Sequence, residues 1–178
     1  MNLVDEVWGE NRPPYSTGTA MVLAELYAGE TWQSKAGRLG EKLKELGAHG
    51  TVVTALDEVA WLLNIRGSDI PYTPVVRSYV ILKFLDDDTS LDLTLYVNPL
   101  KITQEIREHL KVEQLLEGVR AHIKNYEAVW GDLTTLREIA NKKILLSSRF
   151  SYNLGTSQAV HEKVKFILIF LHKRRQIY

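Results

Sequence analysis

An α/β domain, with a mixed β-sheet covered by helices on both faces, is the fold class that this 178-residue sequence predicts. Three observations carry the expectation. Segments of helical period alternate along the chain with short β-branched runs. Two β-type runs, 75–85 and 91–97, are joined like a hairpin by the polar turn Asp86-Asp87-Asp88-Thr89-Ser90. The composition, 45% hydrophobic and 25% charged, is that of a globular chain able to bury one core without metal or disulfide.

Residues 2–8 suit a short helical turn ended by Gly9, Pro13, Pro14 and Gly18, so 1–19 reads as a linker or approach arm. From Thr31 to Gly47 the period is helical. Trp32, Ala36, Leu39, Leu43 and Leu46 share a face, Thr31 is the N-cap, Gly47 is the stop, and the intervening Lys and Glu residues form a solvated face. Thr51 to Thr54 is a strand and Asp57 to Asn64 a helix, with Trp61, Leu62 and Leu63 the expected core anchors. The stretch from Ile65 to Pro74 is too rich in Gly and Pro to be regular.

Beyond the hairpin, Pro99 opens a helix expected to run to about Leu110. A short strand at Val119, Ala121 and Ile123 and a helix on Tyr126, Val129, Trp130, Leu133 and Leu136 come next. Lys143 to Ser147 is strand-like, Ser151 to Val160 helical, and Val164 to Leu171 a last apolar strand or tail. The economical division is an arm at 1–19, one domain at 20–171 and a basic tail at 172–178.

Composition excludes several functions. Lys+Arg and Asp+Glu are both 22, so net charge gives no general pull toward nucleic acid or anionic membrane. No cysteine means no disulfide framework, thiolate zinc site or cysteine nucleophile. The longest apolar run, Phe166 to Leu171, is far short of the ~20 residues of a spanning helix, and the acidic amino end is unlike a secretory signal; a cytoplasmic location is the default.

Catalytic and metal motifs are scarce. His49, His109, His122, His161 and His172 form no i, i+3 or i+4 pair and read as surface or capping residues. Asp86-Asp87-Asp88 lacks the alternate spacing of a calcium loop and reads as a solvated turn. Neither a phosphate-binding glycine loop nor a nucleophile elbow occurs, and Lys173-Arg174-Arg175 reads as a charged terminus. No catalytic and no metal-ligating residue is assigned. The candidate site is the loop from Arg66 to Pro74. Gly67 permits a bend, Asp69 can cap or pair with Arg66, and Pro71 and Pro74 stiffen the exit past Tyr72. Arg66, Asp69 and Tyr72 either hold the helix-to-strand crossover together or face a cleft.

The block Ala55-Leu56-Asp57-Glu58-Val59-Ala60-Trp61-Leu62-Leu63-Asn64-Ile65-Arg66-Gly67-Ser68-Asp69-Ile70-Pro71-Tyr72 resembles the cytosolic Xaa-Pro aminopeptidases (aminopeptidase P) of the creatinase/prolidase group. Flanking pieces agree in order: Asn2-Leu3-Val4-Asp5 with Trp8 and Arg12-Pro13-Pro14, then Tyr27-Ala28-Gly29-Glu30-Thr31, Val97-Asn98-Pro99-Leu100-Lys101 and Phe150-Ser151-Tyr152-Asn153-Leu154. The resemblance covers about residues 2–165. It implies the second of two creatinase N-terminal-type domains, of ribonuclease H-like architecture, that precede a catalytic pita-bread domain. The family's two metal ions, typically manganese, and its substrate-binding histidines belong to that third domain, so no catalytic residue or cofactor carries over to this chain.

The resemblance therefore implies the non-catalytic middle domain of an aminopeptidase that releases the residue before proline. Its partners would be the first N-terminal domain and the catalytic domain, with room for a homodimer. The run from Phe166 onward departs from the family and reads as a truncation, or as a last strand completing the sheet. The alternative function is a stand-alone protein-binding module of the same fold. A ribonuclease H-like nuclease is a weaker reading, because Thr51 to Thr54 carries no acid to hold a metal.

Overall fold

Thr31 and Gly47 bracket the first long helix as their side chains require. The Thr31 hydroxyl accepts from the Ser34 N–H at 3.2 Å, and Gly47 takes the left-handed backbone, φ +61°, that ends the helix. The computed structural model describes residues 3–85, 89–138, 143–146, 158–163 and 167–169. Its helices are α1 (Leu3–Trp8), α2 (Glu25–Ala28), α3 (Trp32–Glu45), α4 (Leu56–Leu63), α5 (Gln104–Leu110), α6 (Val129–Glu138) and α7 (Gln158–Lys163). Its strands are β1 (Met21–Val22), β2 (Gly50–Val53), β3 (Ile65–Arg66), β4 (Ser78–Phe84), β5 (Leu91–Val97), β6 (Leu115–Leu116), β7 (Val119–Asn125), β8 (Ile144–Leu146) and β9 (Ile167–Ile169).

The main sheet has the order β6-β7-β5-β4-β2-β8-β9 among the described residues. β4 and β6 run against the other five strands. Runs such as Tyr79-Val80-Ile81-Leu82 and Ile144-Leu145-Leu146 are apolar on consecutive positions because both sheet faces are covered. Val80, Leu82, Leu93 and Leu95 pack under α3, α4 and α5 with Trp32, Ala36, Leu43, Leu62 and Ile106. Val52, Ile81, Tyr96, Ile144 and Leu146 pack on the opposite face with Val129, Leu133 and Leu136 of α6 and Val160 of α7. Helices on both faces of a mixed sheet are the architecture the sequence implies.

Gly50 shows how tightly β2 lies against β4. A Cβ there would sit 2.6 Å from the Leu82 carbonyl oxygen and 2.9 Å from the Lys83 Cβ. Backbone cannot yield as a side-chain end can, so Gly50→Ala should cost about 1–3 kcal/mol in urea unfolding. An unchanged urea midpoint would refute that account.

The structure corrects several element-level expectations. The helix expected from Pro99 to Leu110 is two pieces, a 3-10 turn at Pro99–Lys101 and then α5. Two caps divide it: Asn98 accepts from Leu100 N at 3.0 Å, and Thr103 accepts from Ile106 N at 3.3 Å, each starting its own turn. Ile65-Arg66 is not irregular but is β3, paired antiparallel with β1. Trp61 is only half-buried at the margin of the core that encloses Leu62 and Leu63. His49 is buried at 8% exposure rather than on the surface: its backbone bonds to Lys143 O and Phe84 N set it in the sheet, and its ring lies 6.4 Å from that of Phe84. The Asp86-Asp87-Asp88 turn, Ser151 to Ser157 and the Lys173-Arg174-Arg175 tail lie outside the described residues.

Candidate functional site

The loop expected to be special starts from an unusually well-capped helix end. The Asn64 N–H closes the end of α4 onto Ala60 O and Trp61 O, and basic side chains from α3, from α5 and from just beyond the helix add further donors to its last carbonyls. Lys35 Nζ donates to Trp61 O at 2.9 Å and to Asn64 Oδ1 at 2.6 Å. Arg66 Nη1 donates to Ala60 O at 2.7 Å and to Ile65 O at 2.8 Å. His109 Nε2 lies 2.8 Å from Leu63 O and is therefore its protonated, donating nitrogen. Asn64 closes the helix in the left-handed region, and its side-chain NH2 donates to Glu30 O at 2.8 Å.

Lys35 overturns the expected solvated face of α3: it is 3% exposed, with its ammonium 4.7 Å from the centre of the Trp61 ring. Burial pulls its pKa down from the ordinary 10.5, partly offset by the Glu30 charge. A lysine whose folded pKa lies below its unfolded value binds fewer protons in the native state, so stability rises with pH across that interval. The stability of the wild type minus that of Lys35→Met should therefore rise as pH is raised from neutral toward 10.5. A difference that stays flat in urea unfolding over that span would contradict the assignment.

Past Arg66 the chain folds into a tight excursion. Asp69 N donates to Val75 O at 3.2 Å, and Thr73 N to Ile70 O at 3.1 Å. Asp69 does not pair with Arg66. Its Oδ2 accepts from Arg77 N at 2.6 Å, and its Oδ1 forms an ion pair with Lys101. Both charged side chains are buried, Lys101 at 5% and Asp69 at 8% exposure. Lys101 also donates to Ser16 O at 2.7 Å, and its own carbonyl accepts from Ala20 N at 2.8 Å. One buried lysine thus joins the amino-terminal arm, the loop and the turn after β5. Tyr72, at the apex, is fully exposed with φ +63°, a left-handed backbone that a tyrosine adopts at a cost.

Arm, loop and strand ends enclose a cleft of about 620 Å³ beside Asp69, Ile70 and Lys101. It opens at the carboxyl ends of the parallel pair β5 and β7. Of the expected site residues, Asp69 lines it, Arg66 stands behind it at the end of α4, and Tyr72 projects beyond it. Sequence reasoning missed Arg77, whose guanidinium carbon is 3.9 Å from the centre of the Tyr15 ring and 4.4 Å from that of Tyr126. Tyr126 packs in turn against Tyr79, 5.2 Å between ring centres. Burial, with the Tyr126 contact, pushes the Tyr79 hydroxyl well above its ordinary range, so it stays protonated. The available signal was the aromatic Tyr15 after Pro13-Pro14, an arm residue with no other reason to be apolar.

Elsewhere, Tyr96 donates to Asp132 Oδ2 at 2.6 Å, and Lys124 Nζ reaches the same oxygen at 2.6 Å. Burial alone would raise the Asp132 carboxyl, but these two donors hold it below its ordinary range. His122 bridges Asp92 at 2.7 Å and Glu113 at 2.8 Å, which engages both ring nitrogens. Among the described residues, no group of three or more His, Cys, Asp or Glu is placed to hold a metal ion. The described residues therefore offer no donor set that fits a di-metal centre. No helix among the described residues is long and apolar enough to cross a membrane.

With the sheet order and the loop in place, comparison with known proteins defines the class. The creatinase/prolidase N-terminal domain model matches residues 11–170, and the chain belongs to that family. The particular relatives are peptidases. A probable Xaa-Pro aminopeptidase P of Pyrenophora teres f. teres is 37% identical over 173 residues, 92% of this chain and 24% of the relative. One of Aspergillus niger is 37% identical over 171 residues, 92% of this chain and 26% of the relative. Among solved structures, the X-prolyl aminopeptidase of Caenorhabditis elegans, described as a cytosolic enzyme with a di-nuclear active site, superposes with a TM-score of 0.74 at 28% identity. That match covers 95% of this chain and 26% of the nematode chain. The chain thus spans about a quarter of the length of the relatives it matches.

Proposed function

We propose that this chain is the non-catalytic middle domain of a cytosolic Xaa-Pro aminopeptidase, an enzyme that removes the residue preceding proline. The observation that carries the reading is the proportion of the match: 92% of this chain against 24% of a relative bearing that activity in its name. Residues 1–19 act as the arm entering the domain, 20–171 as the domain itself and 172–178 as a basic tail. The partners are a preceding domain of the same type and a catalytic domain that holds the metal pair, manganese in this proposal. Arg66 and Asp69 brace the loop, and Tyr72, fully exposed at its apex, makes the contact with the catalytic cleft. Self-association into a homodimer belongs to the whole protein.

The purified 178-residue chain with added manganese should release no residue from an Xaa-Pro peptide. A chimera in which residues 20–171 replace the matching segment of the Aspergillus niger relative should keep activity within about tenfold of that relative. Cleavage by the isolated chain, or a folded chimera without activity, overturns the reading. An antibody to the domain should also detect, in extracts, a polypeptide much heavier than 178 residues.

A further inference from the structure

The cleft beside Asp69 carries a chemistry that the architectural role leaves unused. Its volume, about 620 Å³, lies within the range of small-ligand pockets, and it opens where open α/β sheets place ligands, at the carboxyl ends of adjacent strands. Two cations and two carboxylates line its walls, and they are not all paired with one another. Asp69 and Lys101 form an ion pair, while Glu127, still a carboxylate, accepts from Trp130 Nε1 at 3.2 Å and forms no ion pair with Arg77. Arg77 packs on Tyr15 and Tyr126 and pairs with no carboxylate among the described residues. Tyr15 and Tyr126 hold its planar guanidinium through their rings and through hydrogen bonding to their side chains, neutral contacts that orient it without cancelling its charge.

Two further donors stand on the same wall. Asn98 Oδ1 accepts from Leu100 N at 3.0 Å and Asn125 Oδ1 accepts from Glu127 N at 3.1 Å, so each oxygen is turned toward the backbone it caps. The NH2 of each amide is a further donor, not engaged in that cap. The two residues stand side by side, because Val97 registers against Asn125 across β5 and β7. Around these donors the lining is apolar, with Leu56, Ile70 and Pro99. A guanidinium fork with flanking amide donors is complementary to a planar anion with two oxygens, and the apolar lining to a hydrocarbon body.

We propose that this cleft binds a carboxylate carried on an apolar body, with Arg77 as the recognising residue and Asn98 and Asn125 as supporting donors. The carboxylate comes either from a free organic acid or from a polypeptide side chain, and the test separates the two. The isotope-labelled full chain is titrated with benzoate, with an end-blocked peptide bearing one central Glu, and with benzylamine as the cationic control, while the amide signals of Asn98 and Asn125 are followed by NMR. Benzoate or the peptide should give saturable shifts, and the tighter of the two identifies the source. Arg77→Gln should weaken that binding by at least about tenfold. Arg77→Lys, which keeps the charge and the ring contacts but loses the fork, should weaken it less. No saturation by either carboxylate, equal shifts with benzylamine, or an affinity unmoved by Arg77→Gln overturns the proposal. If Arg77→Gln does not fold, an affinity unchanged in Arg77→Lys overturns it equally.

Discussion

Replacing Asp69 with Ala should destabilise the domain by about 3–5 kcal/mol, far more than the loss of a surface ion pair. The partner left behind is the reason. Lys101 is 5% exposed and would keep a buried ammonium with only the Ser16 and Gly18 carbonyls to accept from it. Arg77 N would lose its 2.6 Å acceptor in the same step. Adding Lys101→Met to Asp69→Ala should recover part of the loss, because an apolar side chain tolerates that site better than an unpaired charge. Urea unfolding of the two variants decides it. A cost for Asp69→Ala below about 1 kcal/mol would mean the pair behaves as a solvated one.

The other large effect is expected at Trp32, where substitution by Ala should cost about 3–5 kcal/mol. This side chain opens α3, is 2% exposed and sits in the core beneath the sheet. Its indole Nε1 donates to His109 O at 3.1 Å, which ties α3 to the end of α5. Trp32→Phe should separate the two contributions: it keeps most of the buried area and loses the donor, so its cost should fall to about 1–2 kcal/mol. Equal costs for the two substitutions, measured by thermal or urea unfolding, would show that the volume of Trp32 is not what the core requires.

Much of the fold was legible because it rests on local chemistry. The period of α3, its Thr31 cap and Gly47 stop, and the β4–β5 hairpin each depend on residues close in sequence. The family resemblance was legible for the same reason, since its block from Ala55 to Tyr72 is continuous. What escaped was everything decided by a partner far away. Lys35 reads as solvated until Trp61 and Asn64, 26 and 29 residues on, turn out to be its acceptors. Asp69 has Arg66 three residues before it, yet its charge partner is Lys101, 32 residues later. The two-residue strands β1 and β3 are too short for any period and exist only because they meet each other. The cleft is the extreme case, as its walls combine an arm, a loop and two strand ends.

The strand order also dictates how the domain emerges during synthesis. β2, β4, β5 and β7 leave the ribosome in turn and can assemble one after another, since each pairs with its predecessor. The other edge of β2 belongs to β8, and Thr51 Oγ1 donates to Leu145 O across 94 residues. Until β8 is made, a nascent chain therefore carries the bare edge of an apolar central strand. Gly50-Thr51-Val52-Val53 is therefore the segment left open to edge-to-edge pairing until Ile144–Leu146 has emerged.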